Sequence, residues 1–210
     1  MGLLDLLKQP LVFLVAFTAA SFGLVLHNLV QAWIADRYGD NMPRRMGFLT
    51  LDAKTHLDPL GLLLLVLFGF GWPRSVPYRL NGTKGVIVAM SGPAAFLLAA
   101  FIYFALAVLL PKTWGFDQII TGLVIAAGIM IVEATIFLFP VPPLDGARAV
   151  YAAGSYEARR LMDQLASYGP IGFFIIFAIL GYTGVLNAVY VRLLSLLEAL
   201  LLAFVRMIGL

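Results

Sequence analysis

Long stretches without a formal charge dominate this sequence and limit what it can fold into. The three longest contain 27, 27 and 28 residues and lie between Lys8 and Asp36, between Lys84 and Lys112, and between Asp163 and Arg192. A membrane-spanning helix needs about 20 apolar residues, so each stretch is long enough to cross a bilayer. Only 12% of the residues are charged, whereas a soluble domain has about 25%. The sequence therefore predicts an integral membrane protein with the lipid bilayer as its main partner.

Two further apolar stretches each contain a carboxylate near their middle. Residues 118–144 are interrupted only by Glu133, and the last apolar segment, which runs from Arg192 to Met207, contains Glu198. With these two stretches the chain has about five predicted spans. No linker or internal repeat divides the sequence. We expect an all-α polytopic membrane protein made of a single domain, residues 1–210.

The uncharged segment 59–73 is too short to be a sixth span. It has 15 residues, begins with Pro59 and Gly61, and ends with Gly71 and Pro73. Runs of this length are typical of re-entrant or interfacial segments. If it does not cross, the loops 36–58, 74–84 and 145–163 share one face and carry ten of the 14 Lys and Arg residues. The positive-inside rule makes that face cytoplasmic and explains the net charge of +3 without a nucleic-acid partner.

Few polar side chains lie inside the predicted spans, and three of them converge. His27 and Gln31 are four residues apart, so they project from one face of the first span near its cytoplasmic end. Asp145 follows three prolines at the cytoplasmic end of the fourth span. Two ligands at i and i+4 with a distant carboxylate form the pattern of a catalytic zinc site. The usual motif is H-E-x-x-H, whereas this chain reads His27-Asn28-Leu29-Val30-Gln31.

Several motifs in order extend this pattern along nearly the whole chain. They are the pentapeptide at His27 followed by residues 32–40, the segments Gly47–Asp52 and His56–Gly61, Phe70-Gly71-Trp72 with Val76-Pro77, Ser91-Gly92-Pro93, and residues 140–148, which read PVPPLDGAR. In this combination the chain resembles the site-2 protease family of intramembrane zinc metalloproteases, the M50 peptidases, in its short bacterial form. The resemblance implies the site-2-protease core in a bacterial or archaeal cytoplasmic membrane.

The resemblance also implies that the hydrolytic machinery is incomplete. The position of Asn28 is that of the family's general-base glutamate, and an amide has no proton to exchange near neutral pH. The position of Gln31 is that of the second histidine ligand, so His27 and Asp145 are the two zinc ligands that remain. Phe96 and Phe137, which we expect in the cleft, stand where the family has asparagine. These changes predict a pseudoprotease in which zinc binds weakly or not at all.

Other roles for the same residues stay open at this point. Glu133 could replace a ligand or base, or it could form a structural hydrogen bond or pair with Arg192 or Arg206. His27 could be a buried hydrogen-bonded histidine, and Asp145 could cap the amides of residues 146–148. Asp58, which precedes Pro59, is expected to set the turn into the short apolar segment rather than to join His56 in a second metal site.

Three functions of different classes follow from the sequence. The first is a pseudoprotease that binds a membrane-embedded partner or substrate helix in the family's cleft. The second is an M50 zinc metalloprotease, either active through His27, Asp145 and Glu133 or inactivated by engineered substitutions. The third is a small transporter in which Glu133, Asp145 and His27 line a polar path. The chain has no cysteine, which excludes disulfides and cysteine chemistry.

Overall fold

The computed structural model describes residues 2–112 and 116–209, and within these residues all regular secondary structure is helical. A short 3₁₀ helix, Leu3–Lys8, precedes ten α-helices. These are α1 (Pro10–Arg37), α2 (Met42–Arg45), α3 (Ala53–His56), α4 (Pro59–Phe68), α5 (Gly82–Leu109), α6 (Asp117–Phe137), α7 (Asp145–Ala153), α8 (Tyr156–Ser167), α9 (Gly169–Tyr182) and α10 (Val185–Met207).

Four of these helices are long and apolar enough to cross a membrane. They are α1, α5, α6 and α10, with 28, 28, 21 and 23 residues. At 1.5 Å per residue each covers the roughly 30 Å of hydrocarbon in a bilayer. The helices α8 and α9 would make a fifth span if they counted as one, but they meet at an angle of 107°. The predicted all-α fold is confirmed, and the four spans, or five with the bent pair, compare with about five predicted.

The core lies where α1, α5 and α6 pack against one another. Small residues fill the contact surfaces and are almost completely buried, namely Ala16, Ala20, Ala99, Ala100, Ala126 and Ala127. Small side chains let membrane helices approach closely, which increases van der Waals contact where no hydrophobic effect operates between helices. Tyr103 also ties α5 to α1, since its hydroxyl donates to the carbonyl of Ala19 at 2.7 Å.

The short apolar segment enters and leaves at the same level of the molecule. Asp58 caps α4 by accepting from the amide of Gly61 at 2.9 Å, as the sequence predicts. The ten residues of α4 rise about 15 Å, half the hydrocarbon thickness. Gly69, with φ of 71°, ends the helix, and the returning chain forms an antiparallel bridge between Leu57 and Pro73. The segment 57–74 is therefore a hairpin whose two ends meet, the form expected of a re-entrant segment, and we call it the re-entrant hairpin.

The predicted span between Asp163 and Arg192 is not one helix, which corrects the sequence analysis. Gly169 and Gly184 both have positive φ, 59° and 77°, and break the stretch into the end of α8, the helix α9 and the start of α10. Arg192, which the charge pattern placed between two spans, lies eight residues into α10. The helix boundary is set by backbone conformation rather than by charge.

Candidate functional site

His27 lies on α1 with both ring nitrogens next to oxygen acceptors. Its Nε2 is 2.7 Å from Oδ2 of Asp145, and its Nδ1 is 3.0 Å from Oδ1 of Asn28. The residue is 2% exposed. The rings of Phe96 and Phe137 pack against it, with centroid distances of 4.5 and 5.2 Å. The structure thus joins α1 to the start of α7 through a buried His27–Asp145 contact.

Asn28 connects α1 with the neck of the re-entrant hairpin. Its Nδ2 donates to the carbonyl of Arg74 at 2.7 Å and to that of His56 at 3.3 Å. The residue is completely buried. The same His56 carbonyl accepts from the amide of Arg74 at 2.7 Å. At residue 28 this chain therefore has a hydrogen-bond donor directed at two carbonyl oxygens.

Gln31, one turn further along α1, donates to α5. Its Nε2 lies 3.2 Å from the carbonyl of Ala89. In a regular helix that carbonyl would accept from the amide four residues later, but residue 93 is a proline and has no N–H. Gln31 satisfies the acceptor that Pro93 leaves free inside the membrane, where an unpaired carbonyl is costly.

Arg148 supplies the positive charge of this region. Its guanidinium donates to the carbonyl of Val76 at 2.7 Å and to Oε1 of Gln31 at 3.4 Å, and it lies 3.7 Å from Oδ1 of Asp145. It also lies over the ring of Tyr78, 4.0 Å from the centroid. Burial raises the pKa of Tyr78 to about 12, although the charge of Arg148 partly opposes this. The Tyr78 hydroxyl is therefore neutral over the physiological pH range.

Gly92 on α5 permits three polar side chains to meet. A Cβ atom built on Gly92 would lie 2.3 Å from Nε2 of His27, 2.5 Å from Nε2 of Gln31 and 2.6 Å from Oδ2 of Asp145. The three atoms therefore converge on one point beside the helix backbone. The sequence analysis predicts that His27, Gln31 and Asp145 lie close together, and they do so in the structure.

These polar groups form the floor of a cavity of about 670 Å³. Its walls come from the hairpin neck, from the turn before α7 and from the junction of α8 and α9, and are largely apolar. They include Trp72, Phe137, Pro142, Leu144, Phe173 and Phe174. A volume of this size lies within the range of ligand pockets. Sequence reasoning missed Arg148 as a member of the floor and Phe173 and Phe174 as walls, since nothing in the motifs predicts where α9 folds back.

Two of the predicted site residues, Asp145 and Phe96, have positions that differ from the expectation. Asp145 does not cap α7, because it is the first residue of the helix and directs its carboxylate at His27 and Arg148. Phe96 is completely buried behind His27, whereas Phe137 lines the cavity. Glu133 accepts from the amide of Gly71, on the returning chain of the hairpin, at 2.8 Å. Of the roles that the sequence left open it therefore has the structural hydrogen bond, not the pair with Arg192 or Arg206.

Comparison with curated proteins finds relatives that are named as zinc metalloproteases. It is 37% identical over 177 residues to the Bacillus subtilis (strain 168) protein named "Putative zinc metalloprotease YwhC", an alignment that covers 79% of this chain and 80% of that protein. The chain belongs to the site-2 protease family. It is also 27% identical over 187 residues to the Mycolicibacterium smegmatis protein named "Putative zinc metalloprotease Rip2". That alignment covers 84% of this chain and 70% of the relative. No family model and no solved structure matches the chain.

The donor set does not fit the zinc site that the family name implies. A catalytic zinc site has three protein ligands drawn from His, Cys, Asp and Glu, with a fourth position for water. Here His27 and Asp145 face each other, and Gln31 turns its NH₂ group, a donor, toward them while its oxygen faces Arg148. Among the described residues no group of three His, Cys, Asp or Glu side chains is placed to hold a metal ion.

Proposed function

We propose that this chain is a pseudoprotease of the site-2 protease family that binds a membrane-embedded partner or substrate helix. The observation that carries the proposal is that the side-chain amides of Asn28 and Gln31 both donate hydrogen bonds to backbone carbonyls. Asn28 donates to the carbonyl of Arg74, and Gln31 donates to the carbonyl of Ala89. A general base must accept a proton from water, and a side chain that donates to two carbonyl oxygens has no such capacity.

The remaining ligand residues are also committed to the protein itself. The Asp145 carboxylate is shared between His27 and Arg148, so the buried charges at the floor compensate each other. Buried charges that are paired in this way stabilise a defined arrangement instead of attracting an ion. The proposal therefore assigns His27, Asp145 and Arg148 to the structure of the cavity floor, with zinc bound weakly or not at all.

The cavity supports the binding part of the proposal. It combines apolar walls with a floor whose polar groups are already hydrogen-bonded, and one wall is the apolar helix α9. An apolar segment held in the membrane can fill such a cavity without leaving a polar group unpaired. The core helices α1, α5 and α6 and the cavity form one unit, in keeping with a single membrane domain over residues 1–210.

Zinc content distinguishes this proposal from the metalloprotease alternative. We expect detergent-purified wild-type protein to contain far less than one equivalent of zinc by elemental analysis, with no difference from the His27→Ala variant. The double variant Asn28→Glu, Gln31→His restores the motif, and we expect it also to lack stoichiometric zinc because Phe96 and Phe137 still pack on His27. Stoichiometric zinc in the wild type that disappears in His27→Ala would overturn the proposal.

Photocrosslinking tests the cavity as a binding site for a membrane protein. A benzoylphenylalanine at Phe174, which lines the cavity, is compared with one at Ile179, which lies on the same helix outside it. Both positions are 56% exposed, so lipid contact is matched. We expect crosslinks to a distinct membrane protein at Phe174 alone. Equal crosslinking at both positions, or lipid adducts alone at Phe174, would contradict a partner in the cavity.

A further inference from the structure

The helix α10 has two unlike faces. One face packs on the rest of the bundle through Tyr190, Leu193, Leu194 and Leu197, of which Leu197 is 3% exposed. Further along, the ring of Phe204 lies 5.9 Å from that of Phe101 on α5. The bundle face is therefore apolar and occupied. The charged residues of α10, Arg192, Glu198 and Arg206, are all exposed.

The outward face carries a regular series of residues that are small or charged except for Leu202. Its members recur at alternating spacings of four and three and are all exposed, namely Ala188, Arg192, Ser195, Ala199, Leu202 and Arg206. This spacing is that of the contact positions in a helix pair of the coiled-coil type. Small residues at such positions let two membrane helices approach closely. Glu198 is also exposed and flanks this series next to Ala199.

The charges on this face lie deep within an apolar helix. Glu198 is the fourteenth of the 23 residues of α10, about 3 Å from the middle of the helix. Over residues 2–112 and 116–209, neither Glu198 nor Arg192 has an oppositely charged group within 4.0 Å. Ionisable side chains in membrane spans almost always face protein or a water-filled cavity, because their exposure to hydrocarbon is costly.

We propose that the outward face of α10 is the interface with a second copy of this chain. Two copies inserted in the same orientation place their α10 helices parallel about a two-fold axis. Arg192 and Glu198 are six residues apart, a rise of about 9 Å, which two long side chains can bridge across a close helix pair. Each copy thus supplies Glu198 to Arg192 of the other, and two equivalent ion pairs form.

Charge complementarity favours a second copy over an unrelated helix. Arg206 is the second-last residue of α10, so inside the helix this face carries one base, Arg192, with one acid, Glu198, at its flank. The two-fold operation brings the acid of each copy to the side of the base of the other. The interface lies on a helix that contributes no residue to the cavity lining among the described residues. The inference is therefore independent of the function proposed for the cavity.

Disulfide crosslinking tests the interface directly, because the chain has no cysteine of its own. Ser195→Cys and Ala199→Cys are compared with Leu200→Cys, which is 49% exposed and lies about 140° around the helix from Ser195. The full-length variants are reconstituted in proteoliposomes and oxidised with copper phenanthroline. We expect a covalent dimer for the first two variants and about tenfold less for Leu200→Cys. Equal yields at the three positions, or no dimer at any of them, would overturn the proposal.

Charge reversal then tests the ion pairs. In the Ser195→Cys background, Arg192→Glu and Glu198→Arg alone should each lower the dimer yield by about tenfold, since each places like charges at the interface. The double variant exchanges the two charges and should restore the yield. If it stays as low as the single variants, Arg192 and Glu198 do not pair between copies. Crosslinking of Ser195→Cys in native membranes to a different protein, with no self-dimer, would also overturn the proposal.

Discussion

Gln31 on α1 donates to the carbonyl of Ala89, which has no backbone donor within α5. This contact gives a prediction at the scale of single residues. Replacing Gln31 with leucine leaves the carbonyl of Ala89 unpaired in a buried position, because Pro93 has no amide to offer. We expect a loss of about 1–3 kcal/mol in the free energy of unfolding, measured by denaturation in mixed micelles. The loss follows from an orphaned acceptor rather than from the side-chain volume.

A second substitution separates these two causes. Pro93→Ala introduces an N–H that can donate to the Ala89 carbonyl. In the Gln31→Leu background it should therefore recover most of the lost stability, whereas in the wild type it should have little effect on the Gln31 contact. If Pro93→Ala destabilises both backgrounds equally, the carbonyl of Ala89 is not the reason for the loss.

Tyr78 makes the protein sensitive to alkaline pH. Its pKa in the folded protein is about 12, raised mainly by burial above the ordinary value of 10.0. Between these two values the folded state holds a proton that the unfolded state has lost. Stability is therefore full below pH 10 and falls as the pH rises toward 12. The melting temperature of the wild type should therefore fall relative to that of Tyr78→Phe over this interval. A difference that does not change between pH 9 and 12 would contradict this assignment.

At the residue scale the sequence predicts which side chains meet better than it predicts what they do. The i, i+4 spacing of His27 and Gln31 and the position of Asp145 were sufficient to bring them together. The partner of Gln31 could also have been predicted, because a helical proline at residue 93 leaves the carbonyl of residue 89 without its backbone donor. The contact of Glu133 with Gly71 could not be predicted, because it depends on how the returning chain of the hairpin packs against α6.

At the scale of elements, the re-entrant hairpin depends on Asn28 at its neck. Asn28→Ala removes the donor to the Arg74 and His56 carbonyls. We expect the Arg74 amide, which bonds to His56, to exchange hydrogen roughly fivefold faster, the factor for about 1 kcal/mol. Gln31→Ala is the control. It also removes a buried side-chain amide from α1, but that amide donates to α5 and not to the hairpin. If the Arg74 amide exchanges equally fast in both variants, the faster exchange reflects a general loss of stability and not the loss of the Asn28 contact.

The sequence correctly predicts those helices whose ends are marked by charged side chains that face water. Charged residues mark the ends of α1 and α5, and Asp58 with Pro59 marks the start of α4. The boundary between α9 and α10 was missed because it depends on the positive φ of Gly184, while Arg192 lies inside a helix. Charge is a reliable boundary only where each charged side chain faces water. The outward face of α10 is a place where this condition does not hold.

At the scale of the whole molecule, the re-entrant hairpin and the sidedness of the basic loops form one testable prediction. Lys54 precedes the hairpin and Lys84 follows it, whereas Lys112 lies beyond the far end of α5. A hairpin that returns to the face it entered keeps Lys54 and Lys84 on the same side. The positive-inside rule places that side in the cytoplasm. Single cysteines at the three positions, in a chain with no other cysteine, can be labelled with an impermeant maleimide in intact cells.

We expect Lys112→Cys to react in intact cells, and Lys54→Cys and Lys84→Cys to react only after permeabilisation. The two possible failures have different meanings. If all three positions reverse, the hairpin is re-entrant and the positive-inside assignment is wrong. If Lys54→Cys and Lys84→Cys react from opposite sides, the segment crosses the membrane. A crossing would require the ten-residue α4 to span about 30 Å with a rise of about 15 Å, and it would separate Leu57 from Pro73.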